Sequence, residues 1–269
     1  MTRIKLAALA AVVAALAAPF VLAQGNAQDE IEKYRQALQD GNPAELWEAR
    51  GEGLWKTARG PKKATLEQCD LGKGPGVVRG AYAAMPRWFD DANRVMDLES
   101  RLVWCMVTLQ GMTEGDAKRN VFGAPGRRSD IEALVAFVTS ESRGVPMNVR
   151  LNNEAMKEAY ALGEKIFFFR GGPYDFSCAT CHAEDGKRIR LQDLPNLTKK
   201  EGAQRGYTTW PAYRVSQGEL RTFQWRLYDC FRQQRFPELE FTSPASVALT
   251  TFLAYNANGA KFAAPAIKR

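Results

Sequence analysis

The chain has 269 residues, a quarter of them charged, with 45% hydrophobic residues and a formal net charge of +7. That length suffices for two small domains with cores of their own. Charges of both signs are interspersed without a Lys/Arg block, which argues against a nucleic-acid-binding protein and leaves anionic small molecules or an acidic partner as the natural ligands of a mildly basic surface.

Residues Met1 to Ala23 read as a secretory signal: Arg3 and Lys5 precede the apolar run LAALAAVVAALAAPFVL, 17 residues long, and small residues end it before Gln24. The run lies at the short edge of a membrane-spanning helix and nothing after it approaches that length, so no membrane span is expected once the signal is cleaved. Removal takes two positive charges and no acid. Export of an Ala-rich bacterial type implies the periplasm. Residues 24–49 then read as an N-terminal helical arm, interrupted at Gly41-Asn42-Pro43.

Beyond the arm the chain repeats itself. Gly51-Glu52 stands 18 residues before Cys69 and Gly163-Glu164 stands 18 before Cys181, an offset of 112; Pro86 stands 19 before Cys105 and Pro211 stands 19 before Cys230, an offset of 125. The strings RLVWC (101–105) and RLYDC (226–230) close these stretches. Each half ends in what reads as an amphipathic helix with a Ser start and a Gly stop, from Ser129 and from Ser243. The expected fold is therefore mainly α, two tandem related domains at 50–147 and 148–269.

The second half contains Cys178-Ala179-Thr180-Cys181-His182. C-x-x-C-H is the attachment signature of a c-type haem: two thiols on one helical turn each add to a vinyl group, and the next residue presents its imidazole to the iron. His182 is the sole histidine. A zinc site on the same thiols lacks two further ligands, and a thioredoxin-like redox pair does not explain the adjacent histidine or the export signal. One covalent haem c, on Cys178 and Cys181 with His182 as proximal ligand, is the expected cofactor. Both halves then read as cytochrome c-like, with haem only in the C-terminal one, because the first half has Leu66-Glu67-Gln68-Cys69-Asp70 where the motif should stand.

Five cysteines in an oxidising compartment leave one over. By the repeat, Cys69 holds the second-thiol position and Cys105 the position of Cys230. If Cys230 lies near the haem in one half, Cys69 and Cys105 lie together in the other, and a disulfide across the lost haem site follows. Downstream of His182 there is no methionine and no second histidine, so the distal ligand is Cys230, a Lys, a Tyr or nothing. Cys230, 48 residues beyond His182, is the best placed. Arg226, four residues before it, lies on the same face if the segment is helical; its charge would depress the thiol pKa and could grip an anion beside the sulfur. The matching Arg101 in the first half also allows a haem-propionate role. Arg232 and Arg235 read equally well as solvated helix charge.

At CATCH together with RLYDCFRQQRFPE, and across the whole mature chain, the sequence resembles the SoxA family, the larger subunits of SoxAX cytochromes, L-cysteine S-thiosulfotransferases of bacterial sulfur oxidation. The resemblance implies that Cys230 is the active-site cysteine and haem ligand, that Arg226 binds substrate, and that Cys69 and Cys105 are paired, as in single-haem members. It implies oxidative conjugation of thiosulfate to a cysteine of the SoxY carrier, with electrons leaving through haem and a SoxX-type small cytochrome c as partner subunit. An electron-transfer cytochrome without chemistry of its own, a sulfur- or gas-sensing haem module, and a thiosulfate dehydrogenase forming tetrathionate are the alternatives the residues leave open.

Overall fold

In the computed structural model, residues 41–123, 128–189 and 192–268 are described, together with scattered positions between 30 and 38. The signal reading, 1–23, falls outside them. The chain forms two compact units, Met1–Asn42 and Pro43–Arg269. Of the first, the described residues from 30 to 38 are helical, with Lys33 Nζ 2.8 Å from Glu30 Oε1. No helix among the described residues is long and apolar enough to cross a membrane.

The second unit is mainly helical. Helix α1 runs Glu45–Lys56, so the last residues assigned to the arm already form its first turn. A 3-10 turn, Tyr82–Ala84, leads into the hairpin of β1 (Arg87–Phe89) and β2 (Arg94–Met96), then α2 (Leu98–Thr108), the short α3 (Glu114–Ala117) and α4 (Asp130–Ser140). There follow α5 (Glu154–Phe168), α6 (Cys178–His182), the small hairpin β3 (Arg188–Ile189) and β4 (Gln192–Asp193), and α7 (Lys200–Tyr207). The hairpin β5 (Ala212–Arg214) and β6 (Glu219–Arg221), α8 (Phe223–Gln234), α9 (Pro244–Asn256) and β7 (Ala266–Lys268) complete it.

The internal repeat has a physical cause at its glycines. A Cβ on Gly51 of α1 would sit 1.9 Å from the Ala133 carbonyl oxygen of α4, and one on Gly163 of α5 would sit 2.1 Å from that of Ala248 in α9. Each helix pair crosses with backbone nearly touching backbone, which only glycine allows. The hairpins repeat residue for residue: Phe89 faces Arg94 across β1–β2, and Arg214 faces Glu219 across β5–β6. Asp97 accepts from the Ser100 amide to cap α2, and Thr222 accepts from that of Trp225 to cap α8. The expectation of a mainly α fold did not place these strands, because two- and three-residue runs carry no readable alternation. β7 has no counterpart among the described residues of the first half, pairing in parallel with β5 to give the order β6-β5-β7.

Residues 125 apart also meet one another. The rings of Tyr82 and Tyr207 stack at 6.1 Å, and the Gln224 amide donates to Glu99 Oε1 at 3.3 Å. Gln224 Nε2 donates to Asp97 Oδ2 at 2.5 Å. The two repeats thus face each other across a buried seam, and one apolar core extends through both. The picture of α9 as an amphipathic helix is corrected: every residue from Ser246 to Ala254 is buried, because α5 packs along it and α7 and α8 cover other parts of its surface.

Candidate functional site

The haem motif occupies its own helical turn. Ser177 caps α6, its hydroxyl accepting from the Thr180 amide at 3.1 Å while the Ser177 amide donates to Thr180 Oγ1 at 2.9 Å. This reciprocal box fixes the turn, so Cys178 and Cys181 are presented three positions apart with His182 directly after. The unspecified Thr180 of the motif has a definite structural task.

His182 Nδ1 is 2.9 Å from the Pro195 carbonyl. A carbonyl can only accept, so Nδ1 carries the proton and Nε2 is left with its lone pair free. Burial is the main influence on the imidazole and pushes its pKa down, keeping the ring neutral; Arg226 acts in the same direction. The loop that supplies Pro195 is itself braced, with Asn196 donating to Asp185 Oδ1 at 3.0 Å and the Leu197 amide to the His182 carbonyl at 2.7 Å.

Cys230 comes to the same place from α8. Burial pushes the Cys178 thiol up to about 12, and the next contributor is the Cys230 sulfur, followed at lower weight by Cys181. All three cysteines are partly buried and none is in a disulfide. The Cys230 thiol is also pushed up: burial outweighs the opposing effect of Arg226. Arg226 does pull the thiol pKa down, as its charge implies, but desolvation of the sulfur is the larger effect and the net shift is upward.

Arg226 Nη1 lies 3.2 Å from Asp229 Oδ2. Asp229 is shared, accepting also from Arg232 Nη2 at 2.8 Å and Gln233 Nε2 at 2.7 Å. Arg232 is largely exposed and serves Asp229. Arg235 ends α8 in the left-handed conformation, φ 54°, with its guanidinium 5.5 Å from the Tyr174 ring centroid. Neither residue was assigned a role by spacing alone, and both are accounted for by these contacts.

The first half shows what the same frame does without a haem motif. Cys69 and Cys105 are joined in a disulfide with their Cα atoms 5.7 Å apart. Arg101, the counterpart of Arg226, is buried; its Nε donates to the Asp70 carbonyl at 2.7 Å and its Nη1 to Asp91 at 2.8 Å. It is a brace. Arg226, with a quarter of its side chain exposed and a single shared carboxylate, is not held in that way.

The donor set fits a covalently attached haem: two free thiols on one locked turn, a neutral imidazole whose one available nitrogen is Nε2, and a third sulfur within electrostatic reach of both thiols. Sequence reasoning did not find Pro195, Asp229 or the capping role of Thr180. A proline 13 residues past the histidine carries no signal of its own, because the interaction is made by a backbone oxygen.

A family model described as the SoxA/TsdA cytochrome c domain matches residues 50–147. The L-cysteine S-thiosulfotransferase subunit SoxA of Hydrogenophilus thermoluteolus is 51% identical over 242 residues, 89% of this chain and 87% of that protein. The subunit of the same name from Hydrogenobacter thermophilus is 31% identical over 251 residues, 91% of each. Among solved structures, the crystal structure of SoxXA from P. pantotrophus aligns with a TM-score of 0.71 over 88% of this chain and 84% of that one at 24% identity, which shows the cytochrome c-like fold.

Proposed function

Because this chain belongs to the SoxA family of L-cysteine S-thiosulfotransferase subunits, we propose that Cys230 is the sulfur-relay nucleophile of a thiosulfate-conjugating cytochrome and that Arg226 orients the substrate. The observation that carries the reading is the convergence of Cys230 with Cys178 and Cys181, with Arg226 one helical turn away and close enough to act on both Cys230 and His182. Cys178 and Cys181 would hold a single haem c through thioethers, and His182 Nε2 and the Cys230 sulfur are the groups that would bind its iron. When bound, that haem supplies the one-electron acceptor through which the electrons of sulfur–sulfur bond formation leave.

In the reaction, Arg226 draws the sulfonate end of thiosulfate to α8, which turns the sulfane sulfur toward Cys230. The Cys230 thiolate and the sulfane sulfur form a sulfur–sulfur bond with loss of two electrons, leaving a cysteine S-thiosulfonate. A cysteine thiolate of the SoxY carrier then attacks the sulfane sulfur, takes over the thiosulfonate, and expels Cys230 as thiolate. Residues 50–147 form the haem-free repeat and 148–269 the catalytic one, with the Cys69–Cys105 disulfide substituting for the lost cofactor. A SoxX-type small cytochrome c is the partner subunit, and the periplasm is the location.

The experiment is product analysis. Holoprotein, thiosulfate, reduced carrier and an oxidised cytochrome acceptor are combined, and the carrier is examined by intact mass. We expect carrier-bound thiosulfonate with wild type and none with Cys230→Ala, whose haem remains attached through Cys178 and Cys181. Free tetrathionate as the sole product would replace this reading with a thiosulfate dehydrogenase; full turnover by Cys230→Met would reduce the chain to an electron carrier.

A further inference from the structure

The repeat supplies an internal control for the surroundings of Cys230. In the first half, position 89 at the end of β1 is phenylalanine, and its ring lies under the guanidinium of Arg101 at 4.1 Å. The corresponding position at the end of β5, with the same register in its hairpin, is Arg214. The half that carries the haem motif thus replaces an apolar floor beside its helix arginine with a second guanidinium.

Arg214 has no structural employment equal to its cost. Its guanidinium carbon is 5.8 Å from the Trp225 ring centroid, and its Nε is buried without a hydrogen-bond partner among the described residues. Partly burying a cation and leaving a buried donor unmade is unfavourable unless something else answers it. The charges that act on it are those of Arg226, Asp229, Cys230 and Arg221. Arg221, on the other strand of the hairpin, is engaged by Glu132 Oε1 at 2.9 Å, and Asp229 is already divided among Arg226, Arg232 and Gln233. Glu219 is Arg214's cross-strand partner, yet its Oε2 is likewise buried and unpartnered. The balance beside the sulfur is therefore two guanidiniums against one overcommitted carboxylate.

We propose that Arg214 is a second substrate-binding residue, which together with Arg226 forms a two-guanidinium clamp selecting a sulfonate-bearing dianion beside Cys230. The inference rests on the thiosulfate-conjugating reading and adds to it a basis for charge selection. A sulfonate presents three oxygens, enough for one planar guanidinium on each side with the sulfane sulfur left to face the cysteine. A monoanion would answer only one of the two cations and would leave the other desolvated, so the clamp discriminates by charge.

The test is the dissociation constant of thiosulfate for the oxidised holoprotein, measured by calorimetric titration so that it does not depend on turnover, for wild type, Arg214→Gln and Arg214→Lys, with the haem midpoint potential measured on each. Loss of one charge-assisted contact to a buried anion is expected to weaken binding by roughly ten- to a hundredfold in Arg214→Gln. Arg214→Lys should recover part of the loss and keep the wild-type potential, whereas Arg214→Gln, which removes a cation beside the ligating sulfur, should lower the potential as well as the affinity. Thiosulfate binding within twofold of wild type in Arg214→Gln would overturn the proposal. So would a shifted midpoint potential accompanying unchanged binding, which would assign Arg214 to a haem carboxylate. Failure of the wild type to load the carrier while it still binds thiosulfate through Arg214 would instead overturn the reading of function and leave the clamp standing.

Discussion

Replacing both cysteines of the first half, Cys69→Ala with Cys105→Ala, separates the stability of the frame from its chemistry. The disulfide closes a loop of 36 residues between the segment after α1 and the last turns of α2. On the chain-entropy model a closure of that length stabilises the folded state by about 4 kcal/mol through restriction of the unfolded chain. Both residues are buried, Cys69 fully and Cys105 at 2% exposure, so two lost sulfurs add a packing penalty of about 1 kcal/mol. Against a total stability of about 5–15 kcal/mol this is a large share, yet the seam around Tyr82, Tyr207 and Gln224 does not include either cysteine, and the fold should survive. The assay is equilibrium urea denaturation of the holoprotein followed by far-ultraviolet circular dichroism, with haem content and thiosulfate turnover measured below the transition. We expect a loss of roughly 4–5 kcal/mol by this reckoning, with haem content and turnover unchanged. A loss below about 1 kcal/mol would refute the argument that the crosslink constrains the unfolded chain. Loss of turnover in folded protein would show that these cysteines belong to the site after all.

Two other outcomes follow from the same geometry. Gly163→Ala puts a Cβ 2.1 Å from the Ala248 carbonyl and must push α5 and α9 apart, costing about 3 kcal/mol or more; the melting temperature should fall and haem incorporation with it, whereas Gly51→Ala should lower the melting temperature and leave haem incorporation near wild type. Burial pushes Glu132 up to about 8, and Glu99, held beside Asp97, is raised as well. A carboxyl that binds its proton more tightly when folded leaves stability intact below its unfolded pKa near 4.5 and removes it as pH rises toward 8, at up to about 1.4 kcal/mol per pH unit for each group. Unfolding free energy measured from pH 5 to 9 should therefore decline, and Glu132→Gln should flatten the slope; a free energy that rises over this range would contradict it.

Why some of this was legible and some was not can be traced residue by residue. Cysteine spacing, the lone histidine and the matched glycines were readable because each is a rare residue whose chemistry or size admits few substitutes. Comparison of the halves at an offset of 125 placed Arg101 with Arg226 and Cys105 with Cys230, and the same comparison exposes Phe89 against Arg214 once the hairpins are aligned. The hairpins themselves were too short to leave a periodic trace. α9 was misjudged as amphipathic because α5, α7 and α8 bury it from more than one direction, which no local pattern records.

By itself the sequence determined the C-x-x-C-H turn, the matched spacings of the two halves and the pairing of Cys69 with Cys105, all consequences of residue type or of spacing along the chain. Only the tertiary structure decided which side chains face one another across that spacing. It showed that Arg101 is locked to Asp70 and Asp91 while Arg226 shares a carboxylate, that the Pro195 carbonyl sets the tautomer of His182, and that desolvation of the Cys230 thiol outweighs the arginine beside it. Spacing specifies what one helix can present, but burial and charge balance are sums over every element that packs around a group, and those elements are brought together only when the chain folds.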